Sequence, residues 1–368
     1  MTSATGKVVS GGFSRQRLDT IGRSIFVYPQ INAIPSGVHR PFWSVMIPTY
    51  NCAEYLIRTL KSVLQQDAGP TDMQIEVVDD CSSKDDPEKI VKEIGEGRVS
   101  FYRQPRNVGN SANFTSCIQR ANGYWVHILH GDDIVLPGFY TRLREASEKE
   151  PTIGAAFCRY LFMDDEDHWQ SLSPLERKTP GIPSNWLERL AVVQLIQAPA
   201  IVVRRSVYQE LGGFHPELSV SEDWEMWKRI AVHFPFYYEP QPLACYRVHS
   251  SSLSGRLIRS GAYIADTRKA IDISQSYLPK TVAVELSRKA REYYALYAIS
   301  KAREMLVARD MVAAIAQIRE ALKCRYSFRI LRSMAHLCLW AGTRWVSKTI
   351  RERSYHSRRD GVRCSDDR

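Results

Sequence analysis

The sequence lacks the short patterns that would settle its chemistry at once. It has neither a Walker A pattern nor a G-x-G-x-x-G pattern, so the P-loop and dinucleotide-binding readings lose their usual support. No uninterrupted apolar run reaches the length of about 18 residues that would suggest a transmembrane helix. The first residues, Met1-Thr-Ser-Ala-Thr-Gly, have no apolar stretch of the secretory type. The 8 cysteines form no C-x-x-C pair and no zinc spacing. Several lie in apolar runs, so reduced core thiols and a cytoplasmic setting are expected. What is present suits a globular chain: 44% hydrophobic and 24% charged residues over 368 positions, enough for two domains or one large domain with an appendage. A net charge of +10 admits phosphorylated ligands, an anionic membrane or nucleic acid. No nucleic-acid module accompanies it, so nucleic acid is not an expected partner.

Read in order, residues 1–40 mix Gly, Ser, Arg and Pro without a period and are taken as a loosely ordered tail. Trp43 to Ile47 reads as a buried strand stopped by Pro48-Thr-Tyr-Asn51, followed by a helix over 53–66 with Leu56, Leu60 and Val63 on one face. Ile75 to Val78 is a second strand ending in Asp79-Asp80. A helix over 86–95 and a strand over 99–103 come next, then the turn Asn107-Val-Gly-Asn-Ser111, whose serine could cap a helix carrying Phe114 and Ile118. Tyr124 to Leu129 is a further strand, broken off by His130-Gly-Asp-Asp133. This alternation predicts βαβ units and a largely parallel sheet. Beyond Asp133 the pattern loosens: strands at 153–157, 200–203 and 236–246, a loop over 163–185, a helix halted by the second glycine of Gly212-Gly213, and a helix opening at Ser221-Glu-Asp223. From residue 256 the periodicity is helical only, and Trp340 to Arg368 interleaves arginine with tryptophan and tyrosine.

Three strands therefore end in polar clusters: Thr49-Tyr-Asn51, Asp79-Asp80 and Asp132-Asp133. In a parallel sheet their carboxyl ends share one edge, where ligands of open α/β sheets bind. Adjacent carboxylates there could hold a hard divalent cation against phosphates, although a lone Asp-Asp is more often a polar turn capping its strand.

The ordered set Ser44-Val-Met-Ile-Pro-Thr-Tyr-Asn51, Val77-Val-Asp-Asp-Cys-Ser-Ser83, Asn107-Val-Gly109, His130-Gly-Asp-Asp133, Gly212-Gly-Phe214, Glu222-Asp-Trp224 and Tyr246-Arg-Val-His249 resembles glycosyltransferase family 2. The resemblance covers residues 43–254. It implies a GT-A fold, Rossmann-like with a mostly parallel central sheet flanked by helices, over 41–255, with an all-helical extension over 256–368. It implies a metal-dependent, inverting transfer of a sugar from a nucleotide-diphosphate donor, UDP or dTDP favoured, to a hydroxyl of a glycan or lipid-linked acceptor. Polysaccharide or cell-envelope assembly at the inner face of the cytoplasmic membrane is the corresponding setting.

By the same resemblance Pro48, Tyr50 and Asp80 would line the nucleoside pocket, with Asp79 the lesser partner, and Asn107 and Gly109 would lie near ribose and diphosphate. Asp132 would sit by the ribose or the metal, and Asp133 would bind Mg²⁺ or Mn²⁺, with His249 a second ligand and Arg247 on the leaving diphosphate. Arg247 could equally serve a salt bridge. His130 stands where many relatives carry an acid, as ligand or as strand-end residue. Asp223 would be the base, with Glu222 orienting the acceptor or capping its helix. A catalytically degenerate nucleotide-sugar-binding or scaffold protein using the helical region is the alternative. The basic end meets an anionic membrane or is a solvated terminus.

Overall fold

The computed structural model describes residues 28–249 and 252–342, and the antiparallel pairing of Arg17–Leu18 (β1) with Ser24–Ile25 (β2). The basic end beyond 342 and most of the expected N-terminal tail lie outside the described residues. The chain divides into two compact units, Met1–Trp186 with Leu195–Arg247, and Leu187–Gln194 with Val248–Arg368.

The first unit begins with β3 (Trp43–Thr49), α1 (Ala53–Leu64), β4 (Met73–Asp79), α2 (Pro87–Gly95), β5 (Ser100–Arg103), α3 (Asn110–Arg120) and β6 (Trp125–Ile128). Every side chain of β3 is buried, as a strand covered on both faces by helices requires. It pairs in parallel with β4 from Trp43↔Met73 to Thr49↔Asp79, and with β6. Leu56, Leu60 and Val63 of α1 close over Val45, Ile47, Ile75 and Val77 to make the centre of the core.

The remainder is β7 (Ile134–Val135), α4 (Phe139–Lys149), β8 (Ala155–Met163), β9 (Trp169–Leu172), α5 (Trp186–Val192, whose later residues belong to the second unit), β10 (Ile201–Arg204), α6 (Arg205–Leu211), α7 (Glu222–His233) and β11 (Phe236–Arg247). The nine-stranded sheet runs β5-β4-β3-β6-β10-β8-β11-β7, with β9 on β8. The α/β class is as expected, and the parallel reading holds from β5 to β6 and again between β8 and β11. β10 is antiparallel to both neighbours, and β7 and β9 are antiparallel additions. The strict strand–helix alternation that forces parallel pairing ends at β6.

Three local expectations are corrected. The stretch read as a loop over 163–185 contains β9, whose exposed Trp-Gln-Ser-Leu shows no inward face and so gave no strand signal. Gly212, not Gly213, takes the positive φ after α6, at φ 84° and ψ 177°, an extended conformation open to glycine rather than a left-handed helical stop. Ser111 does not cap α3. Gly109 holds that position, and the Ser111 hydroxyl donates to the Leu218 carbonyl at 2.6 Å.

Within the stretch read as a tail, Tyr28 to Asn32 are held against the first unit. The Tyr28 hydroxyl donates to Glu225 at 2.9 Å, Arg229 lies over its ring at 3.6 Å, and Arg205 donates to the Asn32 carbonyl. The second unit is helical: α8 (Leu253–Ser260), α9 (Ala262–Gln275), α10 (Lys280–Val307), α11 (Met311–Cys324) and a further helical stretch over 328–342. Among the described residues, no helix is long and apolar enough to cross a membrane, and every cysteine is free.

Candidate active site

The parallel register brings the ends of β3, β4 and β6 together. Asp80 N–H donates to the Thr49 carbonyl at 2.9 Å, and Gly131 N–H to the Pro48 carbonyl at 3.0 Å. Gly131 is required by space: a Cβ there would lie 2.7 Å from the Thr49 methyl and 3.0 Å from the Cys52 sulfur.

The loops after β3 and β4 lock each other. Asn51, in the left-handed region at φ 52°, accepts at its side-chain oxygen from the N–H groups of Ser83 and Lys84. Its own N–H donates to the Ser82 hydroxyl. The first residue of α1 is served from the other loop: Asp85 accepts from Ala53 N–H at 2.7 Å, because the N-cap residue Cys52 offers no side-chain acceptor. Tyr50 is left exposed at this edge.

The two carboxylates of Asp79-Asp80 have different tasks. Asp79 is fully buried and accepts from the hydroxyl and N–H of Ser82 and from Arg103 at 2.7 Å. Those contacts describe an organiser of its own turn. Asp80 accepts from the N–H groups of Val108 and Gly109 at 2.7 and 3.0 Å, while the Asn107 amide donates to the Asp80 carbonyl at 3.2 Å. Burial pushes the Asp80 carboxyl above its ordinary range, and the two backbone donors pull it back. Thus Asp80, Asn107 and Gly109, singled out separately in the sequence, form one connected strand-end assembly. Pro48 lies one residue from the strand end.

On the β6 side, His130, Asp132 and Asp133 each offer a ligand atom, all within 4.8 Å of one another. Thr59 of α1 fixes this loop by donating to the carbonyls of Gly131 and Asp133. Asp133 is buried; one oxygen accepts from Arg247 N–H at 2.8 Å, and the other is buried with no hydrogen-bond donor on it. That second oxygen lies 3.7 Å from His130 Nδ1, too far for a hydrogen bond. His130 Nε2 is likewise buried and without a hydrogen-bond partner. Burial lowers the His130 pKa, which favours the neutral imidazole, and raises that of Asp133, with Asp132 adding to the rise. The His130 ring is stacked on Phe114 of α3 at 4.9 Å. One imidazole and two carboxylates, with orphaned buried atoms on His130 and Asp133, are a donor set that fits a divalent cation.

Of the two roles expected of Arg247, a diphosphate contact or a salt bridge, the contacts present are those of the second. Arg247 is buried, donates to the carbonyls of Asp132 and Asp164, and lies 2.5 Å from the Asp167 carboxylate, which also pairs with Arg58. Its contacts hold the Asp132-Asp133 loop against the 164–167 loop. His249, two residues on, belongs to the second unit, where its carbonyl accepts from Ser252 ahead of α8.

Glu222 and Asp223 open α7, with Glu222 buried and an Asp223 oxygen accepting from Trp224 N–H at 2.6 Å. The loop before α7 is stitched to the start of α3 by the Ser111–Leu218 bond and by Phe214 against Phe114 at 5.5 Å. Phe114 therefore touches both His130 and the approach to α7. The sequence marked it only as a residue of an apolar helix face. Thr59, Asp85 and Arg103 were also missed, since each acts on a loop distant in sequence.

Comparison with known proteins places this architecture. The fold is that of the GT-A glycosyltransferases. The nucleotide-sugar complex of Staphylococcus aureus TarS 1–349 with UDP-GlcNAc superposes with a TM-score of 0.56 at 13% identity, covering 77% of this chain and 92% of that one. At that identity the likeness speaks for the fold. Residues 44–212 match the family model described as glycosyl transferase family 2. An uncharacterised glycosyltransferase of Methanocaldococcus jannaschii is 26% identical over 214 residues, 57% of this chain and 71% of its own. Another from Haemophilus influenzae is 23% identical over 276 residues, 68% and 88% of the two chains.

Proposed function

We propose that the protein is a metal-dependent, inverting glycosyltransferase that moves a sugar from a UDP- or dTDP-sugar to a hydroxyl of a glycan or lipid-linked acceptor. The observation that carries this reading is the His130–Asp132–Asp133 group, with Asp133 buried, beside the Asp80–Asn107–Gly109 assembly. In it, Pro48, Tyr50 and Asp80 receive the pyrimidine nucleoside, a carboxylate being able to accept its imide N–H, and Asp79 holds their turn. Gly109 lets the backbone approach the ribose and diphosphate. Asp132 and Asp133 would hold Mg²⁺ or Mn²⁺, with His130 supplying a nitrogen. The bound cation supplies positive charge that stabilises the departing diphosphate.

Asp223 takes the proton from the acceptor hydroxyl as its oxygen forms a bond to the anomeric carbon and the bond to the diphosphate breaks on the opposite face. Glu222 orients the acceptor or stabilises the start of α7. Arg247 positions Asp132 and Asp133 rather than clamping phosphate.

A thermal-shift screen with Mn²⁺ and UDP-, dTDP- and GDP-sugars tests this. The expected result is a shift with one pyrimidine nucleotide class that needs the metal and is lost in Asp133→Ala, together with donor turnover. No shift and no turnover with any donor would sink the enzyme reading and leave the degenerate binding protein.

A further inference from the structure

We infer that the outward side of α11 and of the helical stretch over 328–342 is a docking surface for an anionic lipid membrane. This goes beyond the transferase reading and does not depend on it. The inward side of α11 is committed, with Ala313, Ala314, Gln317, Ala321 and Cys324 buried. Its outward side carries Val312, Ile315, Arg319 and Leu322 at alternating steps of three and four residues, one continuous stripe of the helix surface. Val312 is 81% exposed, and the connector and next helix add Tyr326 at 75% and Phe328 at 82%. Leu331, Arg332 and Leu339 continue outward along that helix, while Ile330 and Leu337 face in. Apolar side chains so exposed, in consecutive elements, are not scattered surface residues; together they mark an interaction surface.

Charge selects the occupant. Between 309 and 342 the sequence carries Arg309, Arg319, Lys323, Arg325, Arg329 and Arg332 against only Asp310 and Glu320. Both acids are already engaged: Asp310 accepts from Ala313 N–H and pairs with Arg259, and Glu320 pairs with Arg268 and Lys323. Glu292 of α10 pairs with Arg329 at 3.0 Å and stands near Arg325. A cationic surplus therefore flanks the apolar stripe. That combination suits an interfacial helix, which buries apolar groups at the acyl boundary and sets its cations among anionic headgroups. A second copy laid on the same stripe would bring arginine against arginine. A polyanion without apolar area would leave Val312, Tyr326 and Phe328 uncovered.

Vesicle sedimentation of the full chain tests the inference, using phosphatidylcholine alone or mixed with phosphatidylglycerol. The expected result is binding to the mixed vesicles only, reduced about tenfold or more in Val312→Asp/Phe328→Asp. The charge-reversed Arg319→Glu/Arg332→Glu should lose binding too, with its apolar stripe intact. The altered side chains are exposed, and an unchanged melting curve confirms that the variants fold. Equal sedimentation of wild type and both variants would overturn the inference by moving lipid contact elsewhere, such as to the basic end. Absence of wild-type binding would overturn it as well. A concentration-dependent dimer abolished by Val312→Asp/Phe328→Asp would give the surface to a second copy.

Discussion

His130 occupies the position that most alters the chemistry of this centre. Toward a divalent cation, an imidazole beside two carboxylates would add a softer nitrogen donor, which would suit Mn²⁺ better than Mg²⁺. Its stacking on Phe114 fixes the ring plane. The same scale separates Asp79 from Asp80, neighbours in sequence with different partners. Asp79 answers to Ser82 and Arg103, and Asp80 to the 108–109 backbone. Asp223 carries a prediction of its own. Asp223→Asn keeps the side-chain oxygen near Trp224 N–H but cannot take a proton. Turnover should fall by about 10²–10⁴, while the donor-induced thermal shift stays as in the wild type; equal loss of both would assign Asp223 to binding.

Among the elements, α1 does the most for the site. Its inward face builds the core with Leu56, Leu60 and Val63, its Thr59 pins the carbonyls of Gly131 and Asp133, and its first turn depends on Asp85 from the loop after β4. A helix start served from another loop couples helix stability to loop geometry. Asp85→Ala should therefore cost about 1 kcal/mol of stability, the usual loss for a removed cap, and should also weaken donor binding. Denaturant unfolding and titration of the nucleotide check the two parts. A stability loss with unchanged donor affinity would confine Asp85 to the helix. β6 shows the same economy: His127 sits on it between the Pro199 carbonyl and the Tyr140 hydroxyl, stacked on Phe139 at 4.6 Å.

For the molecule as a whole, buried titratable groups set the response to acid. Burial lowers the His127 pKa to about 3, against 6.5 for the ordinary residue. Between those values the unfolded chain binds a proton that the folded chain refuses. Stability is therefore lost as pH falls from about 6.5 towards 3, and the His127 contribution is fully present above 6.5. His127→Gln, which can still donate to Pro199, should flatten that part of the melting temperature–pH curve relative to wild type. Parallel curves would show that His127 is not the group responsible.

The sequence by itself determined the α/β class, the strand–helix alternation up to β6, the polar strand ends and the likeness to glycosyltransferase family 2, because these depend on local periodicity and on residues within short motifs. It also marked the helical character beyond 256. Only the tertiary structure decided what acts across loops: Asp85 on α1, Thr59 on the Asp132-Asp133 loop, Arg247 on the 164–167 loop, and Phe114 between His130 and Phe214. It also decided that β10, β7 and β9 run antiparallel, and that Gly212 rather than Gly213 takes the positive φ after α6. Side-chain identity fixes which hydrogen bonds a residue can make. Which partner it meets, tens of residues away, is set by how strands register and helices pack, and a linear pattern does not encode that distance.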